Sequence, residues 1–205
     1  MRVTAAAGTG TDRGRDLGRE QAGAIHDAAT ALKSHLAATG RSPAALGHRL
    51  SASPLTRVAA DLVPDLWAEV IATAAAARVP LEDVLLLTFL DEVWGLAREP
   101  GCSVIARIVP GRPGHDDQPP VPPTTEIGQT MDLPAWTTGR TQVLRTTLEH
   151  GPPSLVLTYP GCIGLCGANE AGLGVAVNAL THVPVSEHGL GVAFITRHLL
   201  TLGTL

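Results

Sequence analysis

Along residues 12–39 the positions Leu17, Gln21, Ile25, Ala28, Leu32 and Leu36 fall near one face of a helical period, which predicts a helix there with Gly40 as its stop. Arg13, Arg15, Asp16, Arg19 and Glu20 crowd its first turns. A second helix is predicted over 54–77, with Ser53 as N-cap, Pro54 at the first position, and Leu55, Val58, Leu62, Leu66 and Val70 in phase. Pro64 kinks or splits it, because proline lacks the amide hydrogen that an interior turn uses. The small side chains of 72–77 permit close helix packing. A third helix is predicted over 80–94: Pro80 opens it, Glu82 and Asp83 suit its positive end, and Gly95 ends it.

After Gly101 the period shortens to two. Residues 102–109 and 125–133 read as paired strands, joined by a Pro-, Gly- and Asp-loaded stretch, 110–124, expected to be an exposed and poorly ordered loop. Further strands are predicted at 141–148, 154–159 and 172–179, and a helical pattern runs from 192 to 202. No internal repeat is visible. The layout is α+β: a helical region over 1–101, then a β-rich region over 102–205.

Composition narrows the function classes. Apolar residues make up 44% of the 205 and charged residues 17%, enough to bury a core. The formal net charge is −4 and aromatics are 3%, so neither a basic footprint nor a base-stacking platform points to nucleic acid. No run of 18 apolar residues and no charged start with an apolar h-region point to a membrane or to export. Three cysteines are an odd count and no disulfide framework, so a reducing, cytoplasmic setting is expected. Lys33 is the sole lysine beside 14 arginines, a bias that goes with high-GC bacterial genomes.

The most informative position is Cys102, which follows Gly101 and opens a strand-like stretch. An isolated free cysteine is usually a small buried hydrophobe. A Gly-Cys junction leading into a hairpin that ends in Asp132 is also what a self-cleaving N-terminal-nucleophile hydrolase needs. Cutting at Gly101-Cys102 leaves a thiol and an α-amine on one residue. The thiol attacks, and the amine, with an unperturbed pKa of about 8, takes the proton. Asp132 alone reads equally as a turn or cap residue. Asn178, in the apolar run Val175-Ala176-Val177-Asn178-Ala179, is either a satisfied core amide or an oxyanion donor.

Other candidates weigh less. Arg107 and Arg145 lie in strand-like runs and could neutralise a substrate carboxylate, but the expectation is that they face solvent. Cys162 and Cys166, near His150 and His182, lack two further ligands in tight spacing and read as packing residues in a Gly-rich turn. Gly8-Thr9-Gly10 precedes a helix but lacks a preceding strand, the remaining glycines and a lysine, so no phosphate loop is expected. The eight histidines are scattered, which disfavours a papain-like Cys-His protease.

Four segments, in order over most of the chain, carry a resemblance. They are Arg13-Gly14-Arg15-Asp16-Leu17-Gly18-Arg19; Val79-Pro80-Leu81-Glu82-Asp83-Val84 running to Asp91-Glu92; Gly101-Cys102-Ser103 with Gly128-Gln129-Thr130-Met131-Asp132; and Gly161-Cys162-Ile163-Gly164 with Gly167-Ala168-Asn169-Glu170-Ala171-Gly172-Leu173-Gly174 through Asn178. The chain resembles the acyl-coenzyme A:6-aminopenicillanic acid acyltransferase family of self-processing amidases, and more distantly penicillin V acylases and bile salt hydrolases.

The resemblance implies a four-layer αββα fold and autocleavage at Gly101-Cys102. Cys102 would be the nucleophile on amide or thioester carbonyls, Asp132 would hold the new α-amine, and Asn178 would help form the oxyanion hole. Asn169 would be structural. The implied substrates are small acyl amides or acyl thioesters, with no resident cofactor, although a coenzyme A thioester would serve as acyl donor. Family members continue past the helix that starts near Val192 and carry a second oxyanion Asn and an active-site Arg there. An alternative therefore stands beside the enzyme: a truncated, non-catalytic binding or assembly subunit that exposes an apolar sheet face, and that self-associates or takes a partner segment in place of the missing part.

Overall fold

The computed structural model describes residues 1–94, 102–114, 119–178, 186 and 188–203. It is a mixed α+β fold. Strand β1 (Arg2–Gly8) leads into helix α1 (Gly10–Glu20), followed by α2 (Ala22–Ala38), α3 (Pro43–Ser51), α4 (Pro54–Leu62), α5 (Pro64–Ala77), α6 (Leu81–Thr88) and α7 (Leu90–Trp94). The β-rich part contains β2 (Cys102–Val109), β3 (Thr124–Met131), a 3-10 turn at Ala135–Thr137, β4 (Gln142–Leu148), β5 (Ser154–Thr158), β6 (Cys166–Asn169), β7 (Gly174–Val175) and helix α8 (Val192–Leu199).

The helical stripe read from 12–39 is buried throughout: Leu17, Gln21, Ile25, Ala28, Leu32 and Leu36 all face the interior. The stretch is nevertheless two helices, broken at Gln21, whose backbone leaves helical geometry while its carboxamide oxygen accepts from Gln142 Nε2 at 2.8 Å. Pro64 splits the second stretch, and the break at Val63 shifts the phase so that Leu62, in phase for one continuous helix, is 66% exposed. Helix α3 was not predicted; Ser42 caps it by accepting from Ala45 N, and Pro43 starts it. The stop at Gly95 lies outside the described residues.

Helices α1 and α5 lie against each other with their backbones almost touching. A Cβ placed at Gly10, Gly14 or Gly18 would collide with the carbonyl oxygens of Asp65, Glu69 and Thr73 in turn. Ala72 and Ala76 oppose the last two glycines, so the small side chains of α5 serve the close packing predicted for them.

Five strands form one sheet in the order β1-β4-β5-β6-β7, with β1 parallel to β4 and the other pairs antiparallel. Strands β1 and β6 were not predicted, and β7 is shorter than the strand expected over 172–179. One face of this sheet is covered. Ala6, Leu144 and Val156 pack there with Leu17 of α1 and with Leu200, beside a larger cluster built from α2, α5, α6 and the 159–165 turn. The alternate positions face outward, with Val3 64% and Leu155 52% exposed.

Strands β2 and β3 form a separate antiparallel ribbon. In its connection Arg112 and Val121 exchange backbone hydrogen bonds of 2.9 and 3.0 Å. Residues 115–118 of that loop lie outside the described residues. Helix α8 is held at both ends. Val192 N donates to Glu92, and Asn169 Nδ2 donates to Leu200 O, at the helix C-cap, at 3.1 Å and to Leu202 O, two residues beyond it, at 2.8 Å. Asn169 is thus structural. Among the described residues no helix is long and apolar enough to cross a membrane.

Candidate functional site

Cys102 is the first residue of β2, and the register pairs it with Met131. Side chains alternate along a strand, so Cys102 and Val104 share a face with Gln129 and Met131. These four are the half-buried residues at this end of the ribbon, and Met131 packs against the large hydrophobic cluster. The opposite face is open to solvent, with Ile105 73% exposed.

Asp132 directly follows Met131 and is exposed. It stands one position beyond the residue that faces Cys102, at the ribbon end where Gly101 joins. Gly101 itself lies outside the described residues. Asn178 is exposed and follows Val177, which the Gln129 carboxamide grips by both backbone groups. Gly174 lies against the same strand: a Cβ there would meet Ile127 Cγ2 at 3.3 Å. The fold thus brings Cys102 and Asp132 to one end of the ribbon and runs the segment ending in Asn178 along β3. Among the described residues, no hydrogen bond or ion pair engages Asp132 or the Asn178 side chain.

The other two thiols have different surroundings. Cys162 is buried, and desolvation pushes its thiol up to about 11 despite hydrogen bonding with Thr158 and the Gly164 carbonyl. Burial also raises Cys166, which opens β6 and so belongs to a strand rather than to the turn expected. A thiol held protonated is a weak nucleophile. Arg107 pairs across the ribbon with Glu126 at 2.7 Å, both exposed, and Arg145 faces solvent, as predicted for both.

Several buried or partly buried polar groups leave no signal in the sequence pattern. Glu69 is fully buried and accepts from Arg13 Nε at 2.7 Å and from Arg197 Nη1 and Nη2 at 3.0 Å each; both arginines are buried as well. Asp65 completes the cluster by accepting from Arg13 Nη2 at 2.7 Å. The partners are 56 and 128 positions apart for the two Glu69 pairs, so no local signal exposes them. Glu92 accepts from Val192 N at 2.7 Å; desolvation, with Asp91 adding to it, raises its carboxyl to about 7. Burial raises Asp91 too. Gln129 had a legible signal, a polar residue in phase with Met131 on a half-covered strand.

The Gly8-Thr9-Gly10 turn needs a correction: a strand, β1, does precede it. The helix end is occupied from within, because Gly10 N donates to Asp65 Oδ1 at 2.5 Å and Thr9 and Asp12 form a capping box. An internal carboxylate fills the place a phosphate would take. No group of three His, Cys, Asp or Glu side chains able to hold a metal ion occurs among the described residues. No protein-family model matches the chain, and no curated protein matches it.

Proposed function

We propose that the chain is a self-processing cysteine N-terminal-nucleophile amidohydrolase or acyltransferase, built on the αββα plan. The observation that supports this reading best is the register of the ribbon, which sets Cys102 at the head of β2, opposite Met131, the residue that precedes Asp132. The Cys102 thiol attacks the Gly101 carbonyl and the acyl group moves from nitrogen to sulfur. Water then cleaves that thioester, leaving a Gly101 carboxylate and a Cys102 that bears both thiol and α-amine. In turnover the α-amine takes the thiol proton, the sulfur attacks the carbonyl of an acyl amide or acyl thioester, and Asn178 donates to the oxyanion. Collapse expels the amine or thiol with the proton and leaves an acyl thioester on Cys102. Water or an acceptor amine then takes the acyl group. Asp132 holds the α-ammonium and tunes its basicity.

The intact mass of the purified protein, read under denaturing conditions beside Cys102→Ala, tests this. Fragments 1–101 and 102–205 in the wild type alone support it. An uncut chain in both, with no acylation of Cys102 by an activated ester, overturns it.

A second reading, the non-catalytic assembly subunit, is favoured by one observation. The outer face of the five-stranded sheet is open and partly apolar, with Val3 64% and Leu155 52% exposed. Sedimentation of the isolated chain tests it: a well-behaved monomer with turnover removes it.

A further inference from the structure

Beyond β7 the chain leaves the sheet ladder, and Val177 is held by a side chain instead. Gln129 Nε2 donates to Val177 O at 2.5 Å, and Val177 N donates to Gln129 Oε1 at 3.4 Å. A carboxamide carries one acceptor and a donor pair, so it stands in for the peptide group of a neighbouring strand. Gln129 is itself fixed. It pairs with Val104, two residues from Cys102 on the same face, about 7 Å along the strand. Met131, two residues further on, is anchored in the hydrophobic cluster.

We infer that Gln129 is a positioning residue: by clamping the Val177 peptide it sets where Asn178 stands relative to the Cys102 strand. The inference rests on the proposed roles of Cys102 and Asn178 and adds the part that joins them. An oxyanion donor works only within about 2.7–3.1 Å of the developing charge, and displacement by about 1 Å costs on the order of 10²-fold in rate. With the Val177 peptide clamped, few torsions remain to misplace the Asn178 amide. The chemistry selects glutamine. A glutamate carboxylate accepts from Val177 N but cannot donate to Val177 O, whereas a protonated glutamate does both.

The test uses the full chain as wild type, Gln129→Ala, Gln129→Glu, Asn178→Ala and the Gln129→Ala/Asn178→Ala double variant. Amide exchange at Val177 is followed by NMR, and acylation of Cys102 by a short-chain p-nitrophenyl ester is followed between pH 4.5 and 8. In Gln129→Ala, exchange at Val177 should quicken about 10-fold or more, and kcat should fall about 10²-fold with KM near wild type. The double variant should fall little further than Asn178→Ala, since the two residues act as one unit. Gln129→Glu, divided by wild type at each pH, should recover below about pH 5 as the acid form regains its donor. Unchanged protection at Val177 in Gln129→Ala, or a Gln129→Glu deficit that is the same at every pH, overturns the inference. A wild type that never acylates sinks the enzyme reading on its own; the exchange measurement needs no turnover and still decides whether Gln129 holds the segment.

Discussion

One carboxylate oxygen of Glu92 accepts from the backbone N–H of Val192 at 2.7 Å, while the other is buried with no hydrogen-bond partner among the described residues. The arrangement caps helix α8 with a charge that burial opposes. Its carboxyl rises from the ordinary 4.5 to about 7, chiefly through desolvation. The folded state therefore holds the proton more tightly than the unfolded chain does. The stabilisation is complete below about pH 4.5 and is lost as pH rises through about 7.

Between pH 5 and 8 the wild type should lose on the order of 1–3 kcal/mol of stability that Glu92→Gln does not lose. Urea unfolding of both proteins at several pH values checks this through the difference between their slopes. Parallel slopes would remove Glu92 as the titrating group.

Glu69 bridges two buried guanidinium groups that are otherwise held by the Gly8 and Ile163 carbonyls and by the half-exposed Asp65. Glu69→Ala strands the buried Arg197 charge, leaves Arg13 with Asp65 alone, and should destabilise by about 3–5 kcal/mol. Asp65→Ala, at an oxygen that water reaches, should destabilise by much less. Equilibrium denaturation of the two variants gives the comparison.

Alanine normally stabilises a helix relative to glycine by about 1 kcal/mol, and Gly23→Ala, which meets nothing within 4 Å, should do so. Gly14→Ala drives a methyl into Glu69 O and Ala72 Cβ, prises α1 from α5, and should destabilise by about 1–3 kcal/mol. Thermal melts with opposite shifts for the two substitutions are expected. Same-sign shifts would contradict the close approach of the helices.

Brief iodoacetamide treatment of the native protein at pH 7.5 should label Cys102, which is half-buried, and spare Cys162, whose thiol lies near 11 and is 4% exposed. Peptide mapping by mass spectrometry locates the label. Modification of Cys162 ahead of Cys102 would contradict the burial described.

What the sequence made legible was the periodic part. Leu17 through Leu36 marked one buried stripe because core contact repeats with the helical turn, even across the break at Gln21. The break itself left no local trace, and the hydrogen-bond partner of Gln21, Gln142, stands 121 positions away. Strand β1 was missed because its small side chains carry little strand signal; its conformation is imposed by pairing with β4. Arg13 read as one charge in a crowded helix start, and its burial follows from Glu69 on another helix. At the candidate site the order of Cys102, Gln129 and Asp132 along a hairpin was readable, since register follows from alternation. The grip of Gln129 on Val177 and of Glu92 on Val192 was not, because both partners are backbone groups supplied by a distant chain segment.

The parallel ladder between β1 and β4 joins residues 2–8 to residues 142–148. Scission between positions 101 and 102 would therefore not release an N-terminal piece. The first strand would stay woven into the other piece's sheet, and Glu69 on one piece would stay bonded to Arg197 on the other. The product would be an intertwined heterodimer without a covalent tether, migrating as one species on a native gel and as two after denaturant. Neither piece could refold alone to a complete sheet.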